Sequence, residues 1–473
     1  MTSAANAIVA ILLPWLFGSV VARSLSGPGR SVWLYLGQGY ILGILAVVWL
    51  TKAWDASGWT LNLRTMAGTL ILLTALTSLG ILHRKISVRA TVPRPADLPH
   101  SPTASWQRAI LALLCLGMGT HLYAVAQELF LRPTFPWDAW RGWEPKVIQF
   151  FANRSLEAPM GTIGNYGEIS TIALLWMMLA SDTTHQPFLH LPWLLAYLAL
   201  AATVYGHLRE QSSSITSAVG AYLVLSMPYL NIHVTLAGYA DIWLALAFTV
   251  GVLALADFRR NPRHLTLIVA VLMTAACFQA KRAGAGFAVV LSALLVIETS
   301  LRAPRPVRIV MAVALAIAIG VLGYTILGHP GLQLPLPGNH RLIVTSEEFR
   351  ITGLMRFTFG PAWHPTPFSE AVLQFGNWHL ATFLWAFAIG VTIFYREWQL
   401  LWSTKILGVL CGAGVIAGYF IIVSPEAAVD HTGLARSLTY IMPLAITSLL
   451  TIALKLGERS SEAKDPPQIP SGY

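Results

Sequence analysis

Long apolar runs recur along this chain, and they constrain its fold more than any other feature. The runs are about 17 to 22 residues long, which at about 1.5 Å per helical residue is enough to cross a hydrocarbon core about 30 Å thick. A membrane-spanning barrel would instead show alternating strands of about ten residues. The pattern therefore predicts an all-α polytopic membrane protein.

The composition agrees with a lipid environment. Hydrophobic residues make up 55% of the chain and charged residues 11%, against roughly a quarter charged in soluble domains. The formal net charge is +10, but the lysines and arginines gather in short loops and form no basic face with interleaved aromatic residues. We therefore exclude nucleic acid as a partner and expect the lipid bilayer to surround most of the chain.

About thirteen apolar runs are predicted to span the membrane. They lie near residues 5–22, 32–50, 65–82, 108–127, 187–206, 214–230, 239–257, 264–280, 283–300, 309–328, 376–395, 405–423 and 437–455. A polar, proline-rich segment separates the first three runs from the others. The predicted parts are an N-terminal three-helix membrane unit (1–82), a cytoplasmic linker (83–107), a membrane core (108–456) and a disordered cytoplasmic tail (457–473).

Basic loops set the predicted orientation. Arginine and lysine concentrate in the linker and in the loops 207–213, 258–264, 301–308 and 396–405. The positive-inside rule places such loops in the cytoplasm. The two long segments 128–167 and 329–375 then fall on the outer face.

The helical run 168–180 conflicts with this orientation, because a full span there would move every later basic loop outside. It has only about thirteen residues, too few to cross comfortably. We therefore predict an interfacial or re-entrant helix on the outer face. The alternative is that it spans and that another predicted span is wrong.

The first long outer loop carries the densest group of reactive side chains, in PWDAWRGWEPKV. The chain is predicted to be helical from Ala139, with Asp138 as the N-cap. Helical spacing would place Trp140, Trp143 and Val147 on one face, toward the membrane. A carboxylate beside apolar walls is a candidate general base. The alternative is an interfacial aromatic belt with solvated charges, which here include Glu144 and Lys146.

Asp241, in AGYADIWLA, begins an apolar span at its predicted outer end. An acidic residue in such a helix is costly and usually functional. The alternative is a carboxylate that only complements the helix dipole. Tyr239 and His233 lie at the same predicted mouth.

Two short basic motifs complete the candidate site. Lys281 and Arg282 occupy a tight predicted hairpin, AKRAG, on the outer face, where loop statistics disfavour cations. This placement indicates an anionic partner such as phosphate. Arg436 opens the last span, in ARSLTYIMP, and is a second candidate phosphate ligand. The alternatives are a miscounted topology for the hairpin and simple snorkelling for Arg436.

These motifs, together with NYGEISTIALLW, resemble the membrane glycosyltransferases of superfamily C, especially bacterial relatives of the type of protein mannosyltransferases and aminoarabinose transferases. The resemblance covers roughly residues 108–456. It implies a sugar donor linked to a polyprenyl phosphate or pyrophosphate, and a glycan, lipid or protein acceptor. It also implies a multi-pass protein of the bacterial inner membrane, with its active site on the periplasmic face.

The resemblance also implies roles for individual residues. Asp138 matches the loop aspartate of the family and would be the general base of an inverting transfer. Lys281, Arg282 and Arg436 would stabilise the departing phosphate. Tyr239 and Asp241 would shape the sugar site, and Trp140, Trp143, Glu144 and Lys146 would line the substrate site. Metal dependence varies within the superfamily; no ligand cluster in the sequence indicates a bound ion, and a divalent cation is left open.

Two other function classes fit the chain less well. A transporter or flippase for a lipid-linked or anionic substrate would place charges in broken helices near the middle of the bilayer, whereas the unusual charges here lie at one predicted face. A non-catalytic assembly subunit would not need acids, aromatic residues and cations together at one surface.

Overall fold

The computed structural model describes residues 2–27, 29–88, 104–133, 138–157, 167–184, 187–306, 308–309, 332–336, 340–345, 347–352, 355–429 and 432–462. Most of the linker 83–107, of the predicted span 309–328 and of the tail 457–473 therefore lies outside the described residues. Asp430 and His431, in the outer loop before Arg436, also lie outside them.

The described part of the chain is mainly α-helical. The first twelve helices are α1 (Thr2–Ser26), α2 (Val32–Ala56), α3 (Leu63–Val88), α4 (Ser105–Leu131), α5 (Glu144–Asn153), α6 (Glu168–Ser181), α7 (Leu191–Arg209), α8 (Ser214–Leu225), α9 (Pro228–Thr235), α10 (Asp241–Arg260), α11 (His264–Ala280) and α12 (Gly284–Ser300). A π-helical turn, Asp138–Trp143, leads into α5.

Eight more helices lie between residue 365 and residue 462. They are α13 (Pro365–Leu373), α14 (Phe375–Trp378), α15 (Ala381–Phe394), α16 (Trp398–Leu401), α17 (Thr404–Gly418), α18 (Glu426–Val429), α19 (Thr432–Leu438) and α20 (Met442–Glu462). A second π-helical turn, Tyr419–Val423, extends α17.

Seven helices are long and apolar enough to cross a membrane: Ala5–Ser26, Val32–Ala56, Leu63–His83, Ser105–Leu131, Phe188–Arg209, Asp241–Arg260 and Thr404–Val423. The pair α8 and α9, bent by 60° at its break, would make an eighth. Four other apolar helices, α6, α11, α12 and α15, have only 14 to 17 residues. Thirteen spans are therefore not confirmed, because only seven or eight spans among the described residues are long enough to cross a membrane.

Helix α10 forms the centre of the bundle. It is apolar on all sides and fully buried over its spanning window, as expected for a helix without a lipid-facing side. Helices α2, α7, α11, α12 and α17 pack around it. By contrast, α3 and α4 expose most of their apolar side chains. α1 and α2 pack against α6, α7 and α11, so the predicted boundary between the N-terminal unit and the core does not coincide with a break in packing.

Helix α6 corrects the prediction for residues 168–180. Thirteen of its residues, Ile169–Ser181, are buried. A helix lying on the membrane surface would keep one polar face in water, and α6 is instead enclosed by α1, α2, α5 and α11. The interfacial interpretation is therefore wrong, and this packing is compatible both with a re-entrant helix and with the alternative of a buried span.

The segment 329–375, which the sequence predicts to be outside, adds a small sheet to the predicted all-α fold. Strands β1 (Leu332–Leu336), β2 (His340–Val344), β3 (Glu348–Ile351) and β4 (Met355–Thr358) form an antiparallel meander in sequence order. The chain after β4 returns to the bundle, where the Gly360 amide donates to the Ile422 carbonyl at 2.9 Å. The apolar-run pattern could not predict this sheet, because its strands are only four or five residues long.

The basic loops gather at one end of the bundle. Arg260 lies 3.9 Å from Glu210, and Arg259 donates to the Trp402 carbonyl at 2.5 Å and Arg302 to the Phe258 carbonyl at 2.9 Å. These contacts join four of the loops that the sequence assigns to one side. The residues Asp241, Lys281 and Arg436 meet at the opposite end, which we call the Asp241 end.

Candidate functional site

Asp241 is the first residue of α10 and is completely buried. Its carboxylate accepts a bond from Lys281 Nζ at 2.9 Å and from Arg436 Nε at 2.8 Å, and the Tyr440 hydroxyl also donates to it. His233 Nδ1 lies 3.6 Å from Oδ2 of the same carboxylate. We call these five residues the Asp241 cluster.

Lys281 is placed by the turn between α11 and α12, which is as tight as the sequence predicted. The turn has three residues, because α11 ends at Ala280 and α12 begins at Gly284. An added Cβ at Gly284 would lie 1.8 Å from the Cys277 carbonyl oxygen, so glycine is needed for this approach. Arg282 is exposed in the same turn and makes no hydrogen bond to the cluster among the described residues, so its role as a phosphate ligand stays a prediction.

Arg436 reaches the cluster from α19, and its guanidinium carbon lies 4.1 Å from the centre of the Tyr239 ring. Lys281 Nζ lies 3.0 Å from the Tyr440 oxygen and 5.6 Å from the Tyr440 ring centre. The face of a tyrosine ring attracts cations, so Tyr239 helps hold Arg436, whereas Lys281 is held through the Tyr440 oxygen. Both cationic side chains retain some contact with solvent, at 14% for Lys281 and 20% for Arg436.

That Asp241 shapes a sugar site stays a prediction, and the structure shows what surrounds its carboxylate. A sugar hydroxyl would need an accessible carboxylate, and this carboxylate is fully enclosed by cationic and hydroxyl partners. Asp241 therefore holds Lys281 and Arg436 in position. Tyr239 lies at the same end of the bundle, where its ring faces Arg436.

The helix predicted in the first long loop is present, but the face predicted to lie toward the membrane is mostly buried in the protein. Trp143 is 3% exposed and Val147 is fully buried, whereas Trp140 is 48% exposed. The Trp143 ring stacks on Trp193 of α7, with 6.0 Å between centres and 12° between planes. The face with Trp143 and Val147 therefore packs into the bundle and not against lipid, because α7 offers an aromatic partner that the loop sequence does not reveal.

The remaining predicted residues of this loop lie along the same helical segment. Asp138 begins the π-helical turn, but its side chain lies outside the described residues. Glu144 begins α5 and is partly buried. Lys146 Nζ lies 5.4 Å from the centre of the Phe150 ring, one turn further along α5.

Two residues of the site were missed from the sequence alone. Tyr440 is fully buried and contacts both Asp241 and Lys281. Trp193 donates its indole N–H to the Tyr239 carbonyl at 2.7 Å. Each lies within an apolar run, so its position signals burial and carries no separate sign of a polar contact.

The arrangement is suited to binding an anion. An ammonium group has three N–H donors and a guanidinium group five, and both groups are fixed by one carboxylate at the end of the bundle. Among the described residues, no group of three or more His, Cys, Asp or Glu could hold a metal ion.

Comparison with known proteins gives no relative for this chain: no protein-family model, no curated protein and no solved structure matches it.

Proposed function

We propose that the protein is a glycosyltransferase that uses a sugar linked to polyprenyl phosphate. In this proposal the Asp241 end faces the periplasm of a bacterial inner membrane. Helices α11, α12, α15 and α20 and the segment 309–328 also cross the bilayer, so that with the seven long helices and the bent pair there are about thirteen spans, as in the membrane glycosyltransferases that the motifs resemble.

The reaction follows from the proposed roles. The Asp138 carboxylate takes the proton of an acceptor hydroxyl, whose oxygen attacks the anomeric carbon of the sugar. The bond between that carbon and the phosphate oxygen breaks, and the polyprenyl phosphate leaves with the electron pair. Attack from the opposite face inverts the anomeric configuration.

One observation carries the proposal: Lys281 and Arg436, 155 residues apart in sequence, converge on the buried Asp241 at 2.9 and 2.8 Å. Negative charge grows on the leaving phosphate, and fixed cations stabilise that charge without reorganisation. The helical segment that carries Asp138 packs beside the cluster through Trp143 and Trp193. A general base on this segment and a fixed cation pair are the two elements that the reaction requires.

The direct test measures release of polyprenyl phosphate. The purified protein in lipid nanodiscs is given a panel of polyprenyl-phosphate hexoses with glycan, lipid and peptide acceptors. Removing a general base lowers turnover by about 10²- to 10⁴-fold, so Asp138→Asn should lose activity by that amount. Asp182→Asn is the matched control, since Asp182 is an exposed carboxylate paired with Arg154.

The outcomes distinguish a wrong assignment of the general base from a wrong assignment of the function. Full activity in Asp138→Asn would mean that the base is wrong. No release from any donor by the unmodified protein would mean that the proposed function is wrong.

Orientation is tested by labelling a single cysteine at position 282, where Arg282 is exposed. Cys115 and Cys411 are exposed free cysteines and are first replaced by serine. A membrane-impermeant maleimide should label Arg282→Cys from the outer face of intact cells. Labelling only after the inner face is opened would remove Lys281 from an outer site.

A transporter or flippase is the second candidate, and the bent pair α8 and α9 favours it. This pair is broken by 60°, and α9 carries His233 to the Asp241 cluster. Broken helices next to a charged site occur in transporters. Movement of a labelled polyprenyl-phosphate hexose across vesicles, without cleavage, would support the transporter over the enzyme.

A further inference from the structure

The proposed base and the proposed phosphate ligands come from separate parts of the chain. Asp138 belongs to the π-helical turn before α5, and Lys281 and Arg436 belong to the Asp241 cluster. A transfer reaction needs a fixed distance between these two parts, because a misplacement of about 1 Å can cost about 100-fold in rate.

A chain of side-chain contacts connects the two parts. Trp143, at the end of the π-helical turn, stacks on Trp193 at 6.0 Å. The Trp193 indole N–H donates to the Tyr239 carbonyl at 2.7 Å. The Tyr239 ring in turn lies 4.1 Å from the Arg436 guanidinium carbon.

Trp193 is the central member of this chain of contacts. It is completely buried, and its ring also packs edge-on against Trp243 of α10, with 5.8 Å between centres. It therefore touches the π-helical turn on one side and the start of α10 on the other. Rigid rings transmit position well, since an indole has few rotatable bonds and this one is held between a stacked ring and an edge-on ring.

We infer that Trp193 is a positioning residue that sets the distance between the Asp138 segment and the Lys281–Arg436 pair. This inference rests on the proposed function and assigns no direct contact with substrate to Trp193. Trp193 contacts two neighbouring groups: it packs against the ring of Trp143 and donates to the carbonyl oxygen of Tyr239.

The test replaces Trp193 by phenylalanine, which keeps a ring against Trp143 and removes the indole N–H. We expect kcat for polyprenyl-phosphate hexose to fall about 10-fold, while KM for the donor stays within about 2-fold, because the base is displaced and the cations remain on Asp241.

Trp176→Phe is the matched control. Trp176 is likewise a buried tryptophan whose indole N–H donates to a backbone carbonyl, that of Ala10, at 2.8 Å. Its bond joins α6 to α1 and lies outside the proposed chain of contacts. Both variants should lose a similar amount of thermal stability, but only Trp193→Phe should lose kcat. Equal losses of kcat in the two variants, or none in Trp193→Phe, would overturn the inference.

A distance measurement keeps this test separate from the proposed function. Spin labels are placed at Ile148→Cys on α5, 36% exposed, and at Arg282→Cys in the exposed turn beside Lys281. Trp193→Phe should shift or broaden their distance distribution by about 1 Å or more, whereas Trp176→Phe should not. An unchanged distribution in Trp193→Phe would overturn the positioning role even if the protein proved to have another activity.

Discussion

Helix α10 carries a buried aspartate at each end, and the two have different surroundings. Asp241 and Asp257 are sixteen residues apart, about 24 Å along the helix. Asp241 is bonded by Lys281, Arg436 and Tyr440. Asp257 contacts Arg30 at 2.5 Å, His207 at 3.2 Å and Arg260.

The Asp257 end has the character of a structural clamp. Arg30 also forms a bidentate hydrogen bond with Glu210, at 2.7 and 2.5 Å, so a second carboxylate shares the positive charge of Arg30. Burial by itself lowers the pKa of Arg30, but its hydrogen bond to Glu210 and the charge of Asp257 outweigh burial and raise the pKa above its ordinary value. The group joins the α1–α2 loop to α7 and α10.

At the Asp241 end, the Arg436 guanidinium lies on the Tyr239 ring, and Tyr239 is linked through Trp193 to Trp143 of the π-helical turn. The comparison teaches that a buried carboxylate with cationic partners is not by itself a functional site. Both ends place an arginine on an aromatic ring; among the described contacts, the link through Trp193 to the segment of the candidate base belongs to the Asp241 end.

The sharpest test of this difference replaces each aspartate by asparagine. Breaking a buried ion pair costs about 3–5 kcal/mol, so both Asp241→Asn and Asp257→Asn should strongly lower the free energy of unfolding. Only Asp241→Asn should also lower the turnover of the protein that remains folded. Thermal unfolding in detergent and turnover per folded molecule are the measurements; a similar loss of turnover in both variants would erase the distinction.

Lys281→Met should weaken binding of polyprenyl phosphate by about 10- to 100-fold, since a hydrogen bond to a charged group contributes about 1.5–3 kcal/mol. Arg282→Met, in the same turn but outside the cluster, should change the affinity by less than about 2-fold, as expected for a solvated charge. Titration with radiolabelled polyprenyl phosphate measures both. Equal losses would mean that general positive charge, and not the cluster, attracts the ligand.

The turn that positions Lys281 can be strained without changing any charge. In Gly284→Ala the new Cβ would meet the Cys277 carbonyl oxygen, whereas in Gly286→Ala it would lie 2.6 Å from a Val415 methyl group that can move. We expect Gly284→Ala to cost about 1–3 kcal/mol and Gly286→Ala less, since overpacking costs least where the neighbour can shift. Unfolding temperatures measure the difference, and the reverse order would contradict the described turn.

An exposed ion pair gives the baseline for these effects. Lys52 and Glu168 are 2.8 Å apart and both nearly half exposed. Lys52→Ala should change the free energy of unfolding by less than about 1 kcal/mol, because solvent screens such pairs. A loss as large as that of Asp257→Asn would show that exposure is a poor guide to the strength of ion pairs in this protein.

Local sequence patterns were sufficient to place many helices. The predicted spans 264–280 and 283–300 agree with α11 (His264–Ala280) and α12 (Gly284–Ser300) to within one residue, because the apolar run and its polar flanks mark both ends. The grouping of the basic loops at one end of the bundle also followed from charge. The four-stranded sheet did not, since its short strands give no run long enough to recognise.

The sequence by itself determined that the chain is helical and rich in apolar runs, that its basic loops share one side, and that Asp241, Lys281 and Arg436 are candidates for one face. These properties depend on residues close together in the chain. Only the tertiary structure decided that Asp241 is enclosed by its partners and that Arg282 lies outside the cluster. It also decided that Tyr440 is part of the cluster and that Trp193 contacts the neighbouring Tyr239. The physical reason is that contacts such as Lys281–Asp241 and Trp143–Trp193 join helices far apart in sequence, and their packing is not encoded in the hydropathy of either segment alone.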